Sequence, residues 1–224
     1  IQAHLEEALA TLLQIPVTLV GAGRTDAGVH ALEMVAHFDV PQALQDLSLL
    51  CNRLNKMAGP HVLVREWVAG PEDLHARFDA LERRYQYRIV RVQDPFQQDT
   101  ATYYGFPLDI KAMREASRSI LGKNDFTSVT KVPSQTRTNC CTIYQASWEL
   151  KGEEWVFFIS ADRFLRNMVR ALVGTLLEVG RSRLSVNEFV GITEAKDRSE
   201  AGPSAPARGL YLASIIYPKT IFHG

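Results

Sequence analysis

The chain has 224 residues, 46% hydrophobic and 22% charged, which excludes a disordered tail, a collagen or a coiled coil. At this length one large or two small domains bury a sufficient core without covalent staples. With 25 basic and 25 acidic side chains it is not a uniformly basic nucleic-acid binder, although a neutral average can conceal a local field.

Residues 2–14 place Leu5, Leu9, Leu12 and Leu13 on one side and Glu6 and Glu7 on the other, a helical spacing that Pro16 ends. The chain opens at Ile1 rather than Met, inside that helical pattern, so some preceding sequence is expected to be missing. Ile15, Val17, Leu19 and Val20 read as a short strand entering Gly21-Ala22-Gly23, and Leu32, Met34, Ala36, Phe38 and Val40 alternate as a second strand. A helix over 42–57, closed by Gly59-Pro60, leads to an expected strand at 61–69. Another strand fits 82–92, with Tyr85, Tyr87 and Ile89 on one face. Beyond it the pattern gives a helix at 109–121, a strand pair at 140–150 and 153–161, a long helix at 162–179, a helix at 186–195 and a closing strand at 210–217. Helices interleave with strand pairs rather than alternating one for one, which favours an α+β fold with antiparallel sheet.

Residues 1–80 carry 5 Lys/Arg against 10 Asp/Glu, and residues 81–224 carry 20 against 15. This shift marks the expected boundary between an N-terminal half, 1–80, and a C-terminal half, 81–224. Within 163–183 five arginines, Arg163, Arg166, Arg170, Arg181 and Arg183, face the single acid Glu178, an excess suited either to phosphates or to a solvated face. Cys140 and Cys141 are adjacent and Cys51 stands alone, neither an even disulfide framework nor a metal spacing, so a reducing cytoplasm is expected. No apolar run approaches the roughly 20 residues that span a bilayer, and no membrane partner is expected.

The most unusual stretch is Gly21-Ala22-Gly23-Arg24-Thr25-Asp26-Ala27-Gly28-Val29-His30. It fails as a dinucleotide fingerprint, because an alternating strand follows where phosphate binding needs a helix N-terminus, and it lacks the Gly-Lys-Ser/Thr of a P-loop. No second Asp-Thr/Ser-Gly loop exists to make an aspartic-protease pair. The loop is either a wide hairpin whose Asp26 bonds its own backbone, or the seat of a single working carboxylate.

The run GAGRTDAGVHA, followed by LHARFDALERRYQYRI, ADRFLRNMVRALVGTLLEVG and APARGLYL, resembles the tRNA pseudouridine synthases of the TruA type, in order along nearly the whole chain. The resemblance implies isomerisation of uridine to pseudouridine at positions 38 to 40 of the tRNA anticodon stem-loop, without metal or organic cofactor. It implies two ferredoxin-like α/β halves around a mainly antiparallel sheet with a central cleft, and a homodimer that holds the tRNA anticodon arm across both subunits. Members of the family begin with a strand bearing Tyr-Asp-Gly and a Gly-Trp-Gln turn. Neither occurs here, so the first strand is expected to be missing.

Asp26 matches the catalytic aspartate, as a nucleophile on ribose C1′ or as a base on the sugar, and Arg170 matches the arginine that pairs with it. The spacing of Arg163, Arg166 and Arg170 on the expected helix puts all three on one stripe. Tyr85 matches the tyrosine that stacks on the target base, and its hydroxyl offers a proton acceptor for C5. The uridine must leave the helix, and Arg24, with a guanidinium able to stack, is either the gap-filling residue or an internal ion pair. Arg77 is structural or RNA-facing, Lys131 and Arg137 are expected near the RNA path, and Arg163 and Arg166 are either phosphate contacts or solvated charge. A non-catalytic tRNA-binding or refolding protein, or a phosphate-binding protein built on the Gly-rich loop, are the rival readings.

Overall fold

The computed structural model describes residues 1–130 and 138–221, with residues 123 and 124 described by their backbone alone. In chain order the elements are α1 (Gln2–Leu13), β1 (Val20–Gly21), β2 (His30–Ala31), β3 (Ala36–His37), α2 (Leu47–Met57), β4 (Glu82–Val90), β5 (Thr102–Tyr103), α3 (Ile110–Arg118), β6 (Gly122–Asp125), β7 (Cys140–Lys151), β8 (Glu154–Ala161), α4 (Met168–Gly180), α5 (Val186–Glu194) and β9 (Leu210–Ile216). Among the described residues no helix is long and apolar enough to cross a membrane.

The chain divides into two compact units. One holds Ile1–Arg24, Val35–Ala80 and the described residues from Tyr217 on; the other holds Thr25–Met34 and Leu81–Ile216. In the first unit Ala8 and Leu9 of α1 pack with Leu19 and Leu54, flanked by Val17, Phe38, Val64 and Trp67. β1 and β3 pair antiparallel, Val20 opposite His37 and Gly21 opposite Ala36. The strand expected at 61–69 does not form. Its central backbone groups are taken instead by Asn55 of α2, whose side-chain amide donates to the Val64 carbonyl and whose oxygen accepts the Val64 N–H, both at 2.7 Å. The expected alternating strand over 32–40 is likewise only a two-residue pairing, and the expected helix at 42–57 begins at Leu47, where the Asp46 carboxylate caps the Leu49 N–H at 3.0 Å.

The second unit is a seven-stranded mixed, mainly antiparallel sheet in the order β2-β9-β4-β8-β7-β6, with β5 beside β4. The α/β architecture with an antiparallel sheet agrees with the sequence reading. β2/β9 and β4/β5 are its parallel pairs. Tyr87 and Ile89 of β4, Phe157, Ile159 and Ala161 of β8, and Trp148 of β7 fill the core face against α4. On β7 the core residues are Cys141 and Ile143, then Ala146 and Trp148, an odd-to-even change made possible by a register shift between Ile143 and Gln145. Without that irregularity one half of the strand would turn its apolar side chains to the opposite face. Two large buried polar side chains are paired: Tyr87 Oη lies 2.7 Å from Thr102 Oγ1 and donates to the Pro206 carbonyl at 2.9 Å, and Trp148 Nε1 donates to Ser117 Oγ at 3.1 Å.

The long helix is shorter than its apolar pattern suggests. It begins at Met168 because Asn167 adopts a left-handed conformation at φ 65°, and because Asp162 folds the preceding segment into a turn, accepting the N–H groups of Thr142 at 2.8 Å and Arg163 at 2.7 Å. Nearly all of α4 is then buried, and Gly174 is the point where it is approached most closely. A Cβ built there would lie 1.7 Å from the Pro203 carbonyl oxygen, so the backbone of the 201–206 segment packs directly on the helix. Gly174→Ala should therefore cost about 3 kcal/mol by displacing that segment. Gly191→Ala, in α5 with nothing within 4 Å of the added carbon, should gain up to about 1 kcal/mol of helix stability. Denaturant midpoints of the two variants against the parent check the contrast.

Candidate active site

Asp26 opens a tight turn in which the Val29 N–H donates to the Asp26 carbonyl at 3.1 Å. Gly28 is the third residue of that turn and takes φ 82°, where a side chain would be strained. Past the turn the chain enters the sheet: His30 and Ala31 pair parallel with Tyr211 and Leu212, and the Leu32 N–H reaches the Leu212 carbonyl at 2.8 Å. The His30 ring stacks on Tyr211 with centroids 4.6 Å apart, and its Nε2 lies 2.8 Å from the Asp99 carbonyl. His30 thus organises the loop, and the Asp26 turn is anchored to the edge of the sheet.

Arg170 is the third residue of α4. Its Nη1 donates to Asp26 Oδ2 at 2.9 Å and its Nε to the Ala205 carbonyl at 2.8 Å, while the Ala205 N–H returns a bond to the Arg170 carbonyl at 2.9 Å. The side chains of Arg170 and Asp26 remain 21% and 29% exposed, open enough for a substrate to reach the carboxylate. The guanidinium is held on two edges at once, so its direction, and with it that of the carboxylate, is fixed.

Tyr85 stands on β4 opposite Ile159 of β8 and Leu212 of β9. Its ring meets Phe164 edge-on at 5.1 Å and 85°. Burial pushes the phenol up to about 12, Arg83 opposes that rise, and the Asp26 charge adds to it. The ring is therefore a neutral phenol at physiological pH, within electrostatic reach of Asp26. Tyr87, two residues on, is fully buried core.

Asp26, Arg170 and Tyr85 are brought together within the second unit. The other expected residues are placed differently. Arg163 and Arg166 lie in the turn before α4 rather than on a helical stripe with Arg170, since the helix starts only at Met168. Arg163 Nη2 donates to the Thr138 carbonyl at 2.8 Å, and Arg166 is exposed. Arg24 and Arg77 are exposed residues of the first unit, with the Arg77 guanidinium 5.9 Å from the Phe78 ring centroid. Lys131 and Arg137 lie outside the described residues. Two contributors escaped the sequence reading. Phe164 falls inside the expected helix 162–179 but precedes the observed start at Met168, and the Ala205 carbonyl carries no side-chain signal. Among the described residues, no three His, Cys, Asp or Glu side chains form a metal-ligating group.

Comparison with known proteins identifies the family. The family model for tRNA pseudouridine synthase matches residues 116–218. The chain is 47% identical over 222 residues to tRNA pseudouridine synthase A of Parabacteroides distasonis, an alignment covering 99% of this chain and 88% of the relative. It is 46% identical over 223 residues to the enzyme of the same name from Bacteroides fragilis, again 99% and 88%, and 45% identical over 225 residues to that of Porphyromonas gingivalis, 99% and 89%. Identity at this level, sustained from one end of the chain to the other, means that it belongs to the tRNA pseudouridine synthase A family.

Proposed function

We propose that this chain isomerises uridine to pseudouridine in tRNA, at positions 38 to 40 of the anticodon stem-loop, with Asp26 as the catalytic group. The observation that carries the reading is the 2.9 Å bond from Arg170 Nη1 to Asp26 Oδ2 beside the Tyr85 ring.

The reaction breaks the C1′–N1 bond, the electron pair leaving with the uracil. The base turns, C5 forms a bond to C1′, the C5 proton is lost and N1 takes one up. Nothing is oxidised or reduced. Asp26 either attacks C1′ and is later displaced by C5, or removes a sugar proton and returns it to the sugar as C5 bonds to C1′; in both routes a carboxylate beside an electron-poor sugar carbon favours the transition state. Arg170, bonded to Asp26 Oδ2 at 2.9 Å, orients the carboxylate. The neutral Tyr85 ring suits stacking against the detached base, the stronger of its two expected roles given a phenol that holds its proton.

A uridine in a stem reaches Asp26 only after eversion, and Arg24 fills the vacated position. Arg77, Lys131, Arg137, Arg163 and Arg166 contact the RNA backbone as positioning charges. The same reading includes a homodimer that engages the anticodon arm across both subunits, and action in the cytoplasm.

Incubating transcribed tRNA with the protein and mapping pseudouridine tests the assignment. Asp26→Asn should lower conversion by about 10³-fold or more while leaving tRNA affinity near that of the parent. Full turnover in that variant would overturn it. Tyr85→Leu should lose about 10²-fold and Tyr85→Phe about tenfold or less, because the phenylalanine ring keeps the stacking surface. Equal losses would assign the work to the hydroxyl instead.

A further inference from the structure

The Arg170 guanidinium takes its second anchor from the Ala205 carbonyl, so the direction of the ion pair depends on whatever holds residues 201–206. That segment has no strand or helix of its own. The Gly202 N–H donates to Thr175 Oγ1 at 3.1 Å, and Pro203 rests on Gly174. Pro206 is held by Tyr87 Oη at 2.9 Å. Between these points Ser204 Oγ accepts two bonds, from Asn167 Nδ2 at 2.7 Å and from Arg198 Nη2 at 3.2 Å.

Arg198 spans the strap from one end. Its Nη1 lies 3.2 Å from the Ala201 carbonyl and 3.4 Å from the Gly202 carbonyl, in addition to the bond to Ser204. Among the described residues no carboxylate forms a salt bridge with it, so its donors serve backbone and hydroxyl acceptors. A planar fork with several donors in fixed directions holds three acceptors on four consecutive residues; an ammonium, a point charge, does not. Asn167 closes the other side, from the left-handed residue that starts α4 three positions before Arg170.

We propose that Arg198 and Asn167, gripping Ser204, are positioning residues for the isomerisation: they fix the 201–206 strap so that the Ala205 carbonyl holds Arg170 in the direction that aims Asp26. The inference rests on the function proposed above and deepens it. Neither residue touches the reacting atoms, and the effect passes through Ala205 and Arg170. Misplacing a catalytic group by about 1 Å costs on the order of 10²-fold in rate, so partial loosening of the strap is worth about tenfold.

The test is single-turnover pseudouridine formation at saturating tRNA, with tRNA affinity measured separately. Arg198→Met, which keeps the stem and loses the fork, should slow the chemical step about tenfold with affinity within about threefold of the parent. Ser204→Ala, a small change that leaves the fold intact, should slow it about threefold to tenfold, and Ser204→Thr, which keeps the acceptor, should restore most of the rate. On an Arg170→Lys background, Arg198→Met should add little, since the anchored guanidinium is already gone. Parental rates in Arg198→Met and Ser204→Ala, a loss recovered by adding more tRNA, or an undiminished cost on the Arg170→Lys background would each overturn the inference. Should Arg198→Met fail to fold, the Ser204 pair decides. A parent protein that converts no uridine would overturn the proposed function, which separates that failure from this one.

Discussion

The bond between Arg170 and Asp26 joins residues 144 positions apart in the chain, and the rest of the second unit is arranged around making it possible. Its value is directional. Both side chains are partly exposed, and an exposed ion pair contributes only about 0–1 kcal/mol to stability. What the pair accomplishes is to keep a carboxylate aimed, and a catalytic group gains far more from aim than a fold gains from one surface pair.

Three separate structural devices converge on that aim. The Gly28 turn turns the chain after Asp26 into a parallel pairing with the closing strand, which anchors the loop at its C-terminal side. The burial of α4 fixes the axis from which Arg170 projects. The 201–206 strap, pressed on Gly174 and returning hydrogen bonds to Arg170 through both groups of Ala205, sets the remaining freedom of the guanidinium. The sheet adds the fourth partner, carrying Tyr85 on the same strand face as the core residues Tyr87 and Ile89.

Long apolar patterns were readable, and the places where reading failed share a cause. The strands 82–92 and 153–161 and the closing strand were visible because alternation continues for several residues on one face. The start of α4 was missed because apolar spacing continues from Phe164 into Met168, while the helix is stopped by Asp162 and Asn167, polar residues that favour turns and left-handed backbone. Those two residues were the available signal. The expected strand at 61–69 failed because an asparagine side chain, rather than a neighbouring strand, satisfies Val64. Partnerships across 144 residues leave no mark in local spacing, so the Asp26–Arg170 pair was accessible only through family resemblance, and the Ala205 carbonyl, a backbone group, through neither route.

The most direct measurement is a comparison of Arg170→Met with the parent in two numbers, the equilibrium affinity for tRNA and the single-turnover rate of pseudouridine formation at saturating tRNA. If Arg170 acts by holding the carboxylate, affinity stays within about threefold while the rate falls by about 10²-fold or more. An unchanged rate, or a loss confined to affinity, would contradict the account and make Arg170 an RNA contact instead.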